Sequence, residues 1–93
     1  MKLAQLEVFA AVARAKSYSE AARQLYISHS TLSRAVSALE EELGVKLLVR
    51  GNRVEELTPA GLVLLEESER LLAQSAAAIE RVQAVGKDEV EKN

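Results

Sequence analysis

Apolar residues at Leu3, Leu6, Phe9, Ala10 and Ala13 recur at i, i+3 and i+4 spacing, one stripe of an amphipathic helix over Leu3 to Ala15. After a break at Lys16 and Ser17, the Ser17/Glu20 pair fits a capping box and predicts a second helix of about two turns, with Ala21, Ala22 and Leu25 inward. Tyr26 and Ile27 make a tight connection, Ser28 is a favourable N-cap, and Leu32, Ala35, Val36, Leu39 and Leu43 form the apolar side of a third helix closed by Gly44.

Past Gly44 the period changes. Val45, Leu47 and Val49 alternate with Lys46, Leu48 and Arg50, "RGNR" reads as a turn and "VEEL" as a returning strand, so a small two-stranded hairpin is expected. In "LTPAG", Thr58 as N-cap and Pro59 at the first helical position start a long helix running to about Val85. It carries two apolar seams: Leu65, Leu72 and Ile79 on one, Leu64, Leu71, Ala78 and Val85 on the other, with Ser68, Ser75 and Val82 shared between them. The closing "GKDEVEKN" reads as a frayed polar tail. The expected architecture is mainly α: a winged helix-turn-helix of three helices and a two-stranded β wing over 1–58, a linker or dimerisation helix over 59–86, and a tail over 87–93.

A length of 93 residues suits one domain, and 48% hydrophobic with 28% charged residues suits a packed globular core. The chain has no cysteine, which excludes disulfides and thiolate metal sites and gives no reason to expect an oxidising compartment. Its longest apolar run, Val8 to Ala13, is far short of the roughly 20 residues that cross a bilayer. Gln5 and Glu7 interrupt any secretory apolar core, so the cytoplasm is the expected location, with no membrane partner.

The formal net charge of -2 argues at first against a nucleic-acid partner, but the charge is sorted along the chain. No carboxylate occurs between Ala21 and Leu39, where Arg23, His29 and Arg34 lie, or between Gly44 and Val54, where Lys46, Arg50 and Arg53 lie. The carboxylates gather at Glu40 to Glu42, Glu55 and Glu56, and Glu66 to Glu69.

In a helix-turn-helix the second helix of the pair lies in the DNA major groove. Here its face opposite the apolar stripe is short and polar, with Ser30, Ser33, Arg34 and Ser37 at helical spacing and His29 and Thr31 at the start. Short hydroxyls let the helix backbone approach bases and phosphates, and Arg34 is the side chain able to make a bidentate contact to guanine. The free N–H groups of the helix start favour phosphate, whereas Glu40, Glu41 and Glu42 would be repelled, so the N-terminal half must be the part that enters the groove. Arg50 and Arg53 flank Gly51 and Asn52 at the wing tip, where a guanidinium could enter the minor groove.

From Leu3 into the long helix the sequence resembles the N-terminal domain of LysR-type bacterial transcription regulators, most specifically in "SYSEAARQL", "LSRAVSALEEELG" and "LTPAG" in that order and spacing. The resemblance implies a winged helix-turn-helix whose long helix pairs antiparallel with its mate in a homodimer; pairing of two dimers into a tetramer is a further option. It implies DNA contacts at Ser17, Tyr18 and Ser19, at positions 29, 30, 33, 34 and 37, and at Arg53. With Ser28, Thr31 and Arg50 from the residue reading, these are the candidate contacts to double-stranded DNA. The candidate dimer interface is Leu64, Leu65, Ser68, Leu71, Leu72, Ser75, Ile79 and Val82.

The family usually has Gln then Pro where this chain has His29 and Ser30, a Phe at Leu48 and an apolar residue at Glu55. Whole members also carry a large C-terminal effector-sensing domain, so a small-molecule effector is expected only there and no cofactor is expected in this chain. With one His, no Cys and no Gly-rich phosphate loop, no metal cluster or nucleophile-base set is available, and an enzyme is not expected. A module that only dimerises is the rival binding reading.

Overall fold

The computed structural model describes residues 1–50 and 55–91, and its elements run α1 (Leu3–Ala15), α2 (Tyr18–Leu25), α3 (His29–Leu43), β1 (Leu48–Arg50), β2 (Glu55–Leu57) and α4 (Pro59–Glu91). Helix α1 is the hub. It buries Leu6, Phe9, Ala10, Val12 and Ala13 and packs against α2, α3, α4 and β2. Val12 lies off the single stripe read from the sequence because α1 is covered on more than one side, while Leu3, at the open end of that stripe, is exposed.

Local chemistry sets the helix boundaries. The backbone turns left-handed at Lys16 (φ 54°) after α1, at Tyr26 (φ 56°) after α2 and at Gly44 (φ 70°) after α3. Ser17 Oγ accepts the Glu20 N–H at 3.1 Å and Ser28 Oγ accepts the Thr31 N–H at 3.1 Å, each satisfying a donor that the first helical turn leaves free. Only half of the expected capping box forms at α2. The Glu20 carboxylate bonds Arg23 and Gln24, one turn further along the helix.

The wing is antiparallel, with Leu48 opposite Leu57, Val49 opposite Glu56 and Arg50 opposite Glu55. The expected alternation over Val45, Leu47 and Val49 does not set its inner face: Leu47 and Leu48 are both buried, and Val45 and Val49 are exposed. The strand starts only at Leu48. Leu47 precedes it and is oriented by its backbone bonds: its N–H donates to Glu40 Oε2 at 2.8 Å and its carbonyl accepts the Thr58 N–H at 3.0 Å.

Thr58 caps α4 as expected, accepting the Gly61 N–H at 3.0 Å and donating its hydroxyl to the Lys46 carbonyl at 2.6 Å. Gly61 is required by contact. A Cβ built there would stand 2.1 Å from the Leu47 carbonyl oxygen. Helix α4 then runs for 33 residues, about 50 Å at 1.5 Å per residue, and dominates a molecule of 60 × 25 × 19 Å. The polar tail expected over 87–93 is instead helical to Glu91, because Gly86 costs a helix interior only about 1 kcal/mol and Lys87 and Glu89 continue it well.

Candidate nucleic-acid interface

Helix α3 divides into two faces. Leu32, Val36 and Leu39 are buried under α1 and α2, which leaves His29, Ser30, Thr31, Arg34 and Ser37 exposed and Ser33 half-buried. Ser19, at the start of α2, is exposed as well. The leading turn of α3, which the sequence pattern points to, and the leading turn of α2, which the family resemblance implies, together form a polar surface.

Several of its hydroxyls already have structural work. Ser28 Oγ, besides capping α3, donates to Thr31 Oγ1 at 2.7 Å and lies 3.2 Å from Ser30 Oγ. Ser17, half-buried, is the α2 cap. Arg34 Nε donates to the Ser30 carbonyl at 3.4 Å, a bond along the helix that lays the guanidinium over the hydroxyl-rich turn.

Tyr18, expected as a DNA contact, is buried, with 8% of its area exposed, and its ring lies 5.5 Å from the His29 ring at an angle of 56°. Its aromatic body belongs to the core between α2 and α3, and what it presents outward is support for His29. Arg50 ends β1, but its side chain and all of Arg53 lie outside the described residues.

The electrostatics of the surface rest mainly on Arg34 and the free N–H groups of α3. Arg23, the other arginine of the acid-free window, is neutralised by Glu20, whose carboxyl is held below its ordinary range first by that hydrogen bond, while the guanidinium is raised in turn. Arg23 is exposed and Glu20 is partly exposed, so water screens the pair, which orients charge locally and adds little stability. Glu40 does not simply angle away from the surface. Its carboxylate turns inward, bonding the Leu47 N–H and lying 4.0 Å from Lys46 Nζ.

The dimer seam also divides. Leu64 and Ser68, expected at the interface, are buried within the chain itself, because the first turns of α4 lie on α1. Ser68 is 0% exposed and its Oγ has no hydrogen-bond partner among the described residues, a small side chain placed where two helices approach. Leu65 and Leu71 are half-buried and pack against the same core, and Arg14 bridges to Glu69 at 3.4 Å across these helices. Leu72 and Ser75 are half-buried. Ile79, Val82 and Val85, further along α4, are exposed.

Two residues of this region escaped the sequence reading. Glu40 gives no local signal, since its partner Leu47 lies across a loop; Gly61 does give one, as a poor helix former in the first turn of a well-capped helix.

The pattern of bacterial regulatory helix-turn-helix proteins of the lysR family matches residues 3–62. The chain belongs to the lysR family. Its LysR-family relatives include a probable cat1 operon transcriptional activator of Acinetobacter lwoffii, 45% identical over 85 residues, which are 88% of this chain and 28% of the relative. The transcriptional regulator TfdT of Cupriavidus pinatubonensis is 40% identical over 89 residues, 96% of this chain and 39% of that protein. The chain therefore spans well under half the length of these two relatives, a transcriptional activator and a transcriptional regulator by name. Among solved structures, the CbnR DNA-binding domain in complex with DNA superposes with a TM-score of 0.89 at 40% identity, covering 92% of this chain and 99% of that one. The BenM DNA-binding domain bound to catB site 1 DNA gives 0.90 at 35% identity, covering 92% and 96%. The four helices and two-stranded wing are the LysR-family winged helix-turn-helix.

Proposed function

We propose that this chain binds double-stranded DNA sequence-specifically as a homodimer, two copies of α3 entering successive major grooves of an interrupted palindrome. The observation that carries the reading is the leading half of α3: His29, Ser30, Arg34 and Ser37 exposed, opposite the buried Leu32, Val36 and Leu39, with no carboxylate among residues 21–39. DNA-bound relatives with the same fold support it. Ser19 and the capped start of α3 supply phosphate contacts, and Arg34, His29 and the free hydroxyls face the base edges. Arg50 and Arg53 are assigned to the wing's contact with the flanking backbone and minor groove.

Dimerisation is assigned to the outer part of α4. Beyond Leu72 the described side chains are exposed apart from half-buried Ser75 and Gly86, and a helix standing alone in water is marginal. Ile79, Val82 and Val85 give it an apolar stripe that a second copy would cover. On this reading DNA contact needs no cofactor, effector sensing belongs to another domain of the whole regulator, and the protein works in the cytoplasm, where the chromosome is. Among the described residues no helix is long and apolar enough to cross a membrane.

Fluorescence-anisotropy titration against DNA from upstream of the chain's own gene and against scrambled DNA tests the reading, with a marked preference for the former expected. Arg34→Ala should cost about 1–3 kcal/mol on the preferred site and relax selectivity there. Equal weakening on every sequence would make Arg34 a phosphate contact.

A further inference from the structure

We propose that His29 is a specificity-determining residue that reads guanine in the major groove. The inference rests on the assignment of α3 as the DNA-entering helix and adds the identity of one base that it reads.

His29 is the first residue of α3, immediately after the Ser28 cap, and it is exposed. An exposed histidine would ordinarily sample several rotamers and read nothing well. This one lies against Tyr18, a ring that the core itself holds, at 5.5 Å and a 56° tilt. The tilted ring pair restricts the imidazole while leaving its outer edge accessible, so the ordering cost of a base contact is partly met before DNA arrives.

The chemistry then selects the base. An imidazole in this position presents a ring N–H, and its surroundings are donor-rich: the free backbone N–H groups of the first turn of α3 give that end partial positive charge. Carboxylates that could capture the N–H are missing from residues 21–39, and Glu20 on α2 is already bonded to Arg23 and Gln24. A donor in a positive field is best met by the base edge richest in acceptors. Guanine offers N7 and O6 side by side, whereas adenine places an amino donor beside N7. A glutamine amide, with donor and acceptor adjacent, instead matches adenine.

In vitro selection from random duplex DNA with the dimeric protein, His29→Gln and His29→Ala separates the outcomes. The side chain is exposed, so both variants should fold. The wild-type protein should enrich guanine at one position of each half-site, roughly tenfold over adenine. His29→Gln should exchange it for adenine at that same position, and His29→Ala should lose preference there while other positions stay unchanged. The same base enriched by all three proteins, or a wild-type preference for a base other than guanine at the position that the variants alter, overturns the proposal. A folded wild-type dimer that enriches no sequence at all removes the DNA-binding reading and this inference together.

Discussion

Two glycines in one helix illustrate how a residue's role depends on what surrounds it. At Gly61 an added Cβ would meet the Leu47 carbonyl oxygen at 2.1 Å and Leu57 Cδ2 at 3.1 Å; at Gly86 nothing lies within 4 Å. The Leu47 carbonyl is backbone and already accepts the Thr58 N–H, so it cannot yield without moving the base of the wing. Gly61→Ala should therefore destabilise the fold by about 1–3 kcal/mol, the range typical of overpacking. Gly86→Ala removes a poor helix former without a clash and should stabilise by roughly 0.5–1 kcal/mol. Thermal unfolding of the two variants at one protein concentration checks the opposite signs. Helix propensity alone, blind to Leu47, would make both substitutions favourable.

Between elements, Glu40 is the tie that sets the wing against α3. Its side chain is only 15% exposed and its carboxylate accepts the Leu47 N–H at 2.8 Å, and on the other side of the same segment Thr58 bonds the Lys46 and Leu47 carbonyls. Recognition helix, wing and α4 are thus joined through two consecutive residues. Glu40→Ala leaves the Leu47 N–H without its partner and should cost about 1–3 kcal/mol, with faster hydrogen exchange at that amide. Glu40→Gln retains an acceptor oxygen and should preserve most of the protection. Unchanged exchange at Leu47 in Glu40→Ala would mean that Glu40 does not hold the segment. The paired strands answer to the hairpin expected from the sequence, whose turn at 51–54 lies outside the described residues; its inward face was not legible, because Leu47 is oriented by Glu40 on α3 and by the Thr58 cap.

The whole molecule is a small winged body with a helix extending from it, and the two parts use the same apolar periodicity differently. The inner turns of α4 bury Leu64 and Ser68 on α1, while Val82 remains 72% exposed and Ile79 54%. At that exposure a charge at Val82 should disturb little packing among the described residues. On the proposed homodimer reading, Val82→Glu should therefore leave the fold intact and give monomers in sedimentation equilibrium where the unsubstituted chain gives dimers. Operator affinity should fall by a factor of 10 or more as the second half-site is no longer tethered. A variant still dimeric would place the pairing surface elsewhere on α4.

The boundaries of α1, α2 and α3, the start of α4, the buried row of α3 and the hydroxyl-rich face opposite it follow from the sequence alone, because periodicity and capping are local and each signal lies within a few residues of its effect. The burial of Tyr18 under His29, the inward turn of Glu40, the requirement for Gly61 and the division of the α4 seams were decided only in three dimensions. Each depends on which other segment lies alongside, and a one-dimensional pattern shows that a side chain is apolar or charged but not which neighbour will cover it.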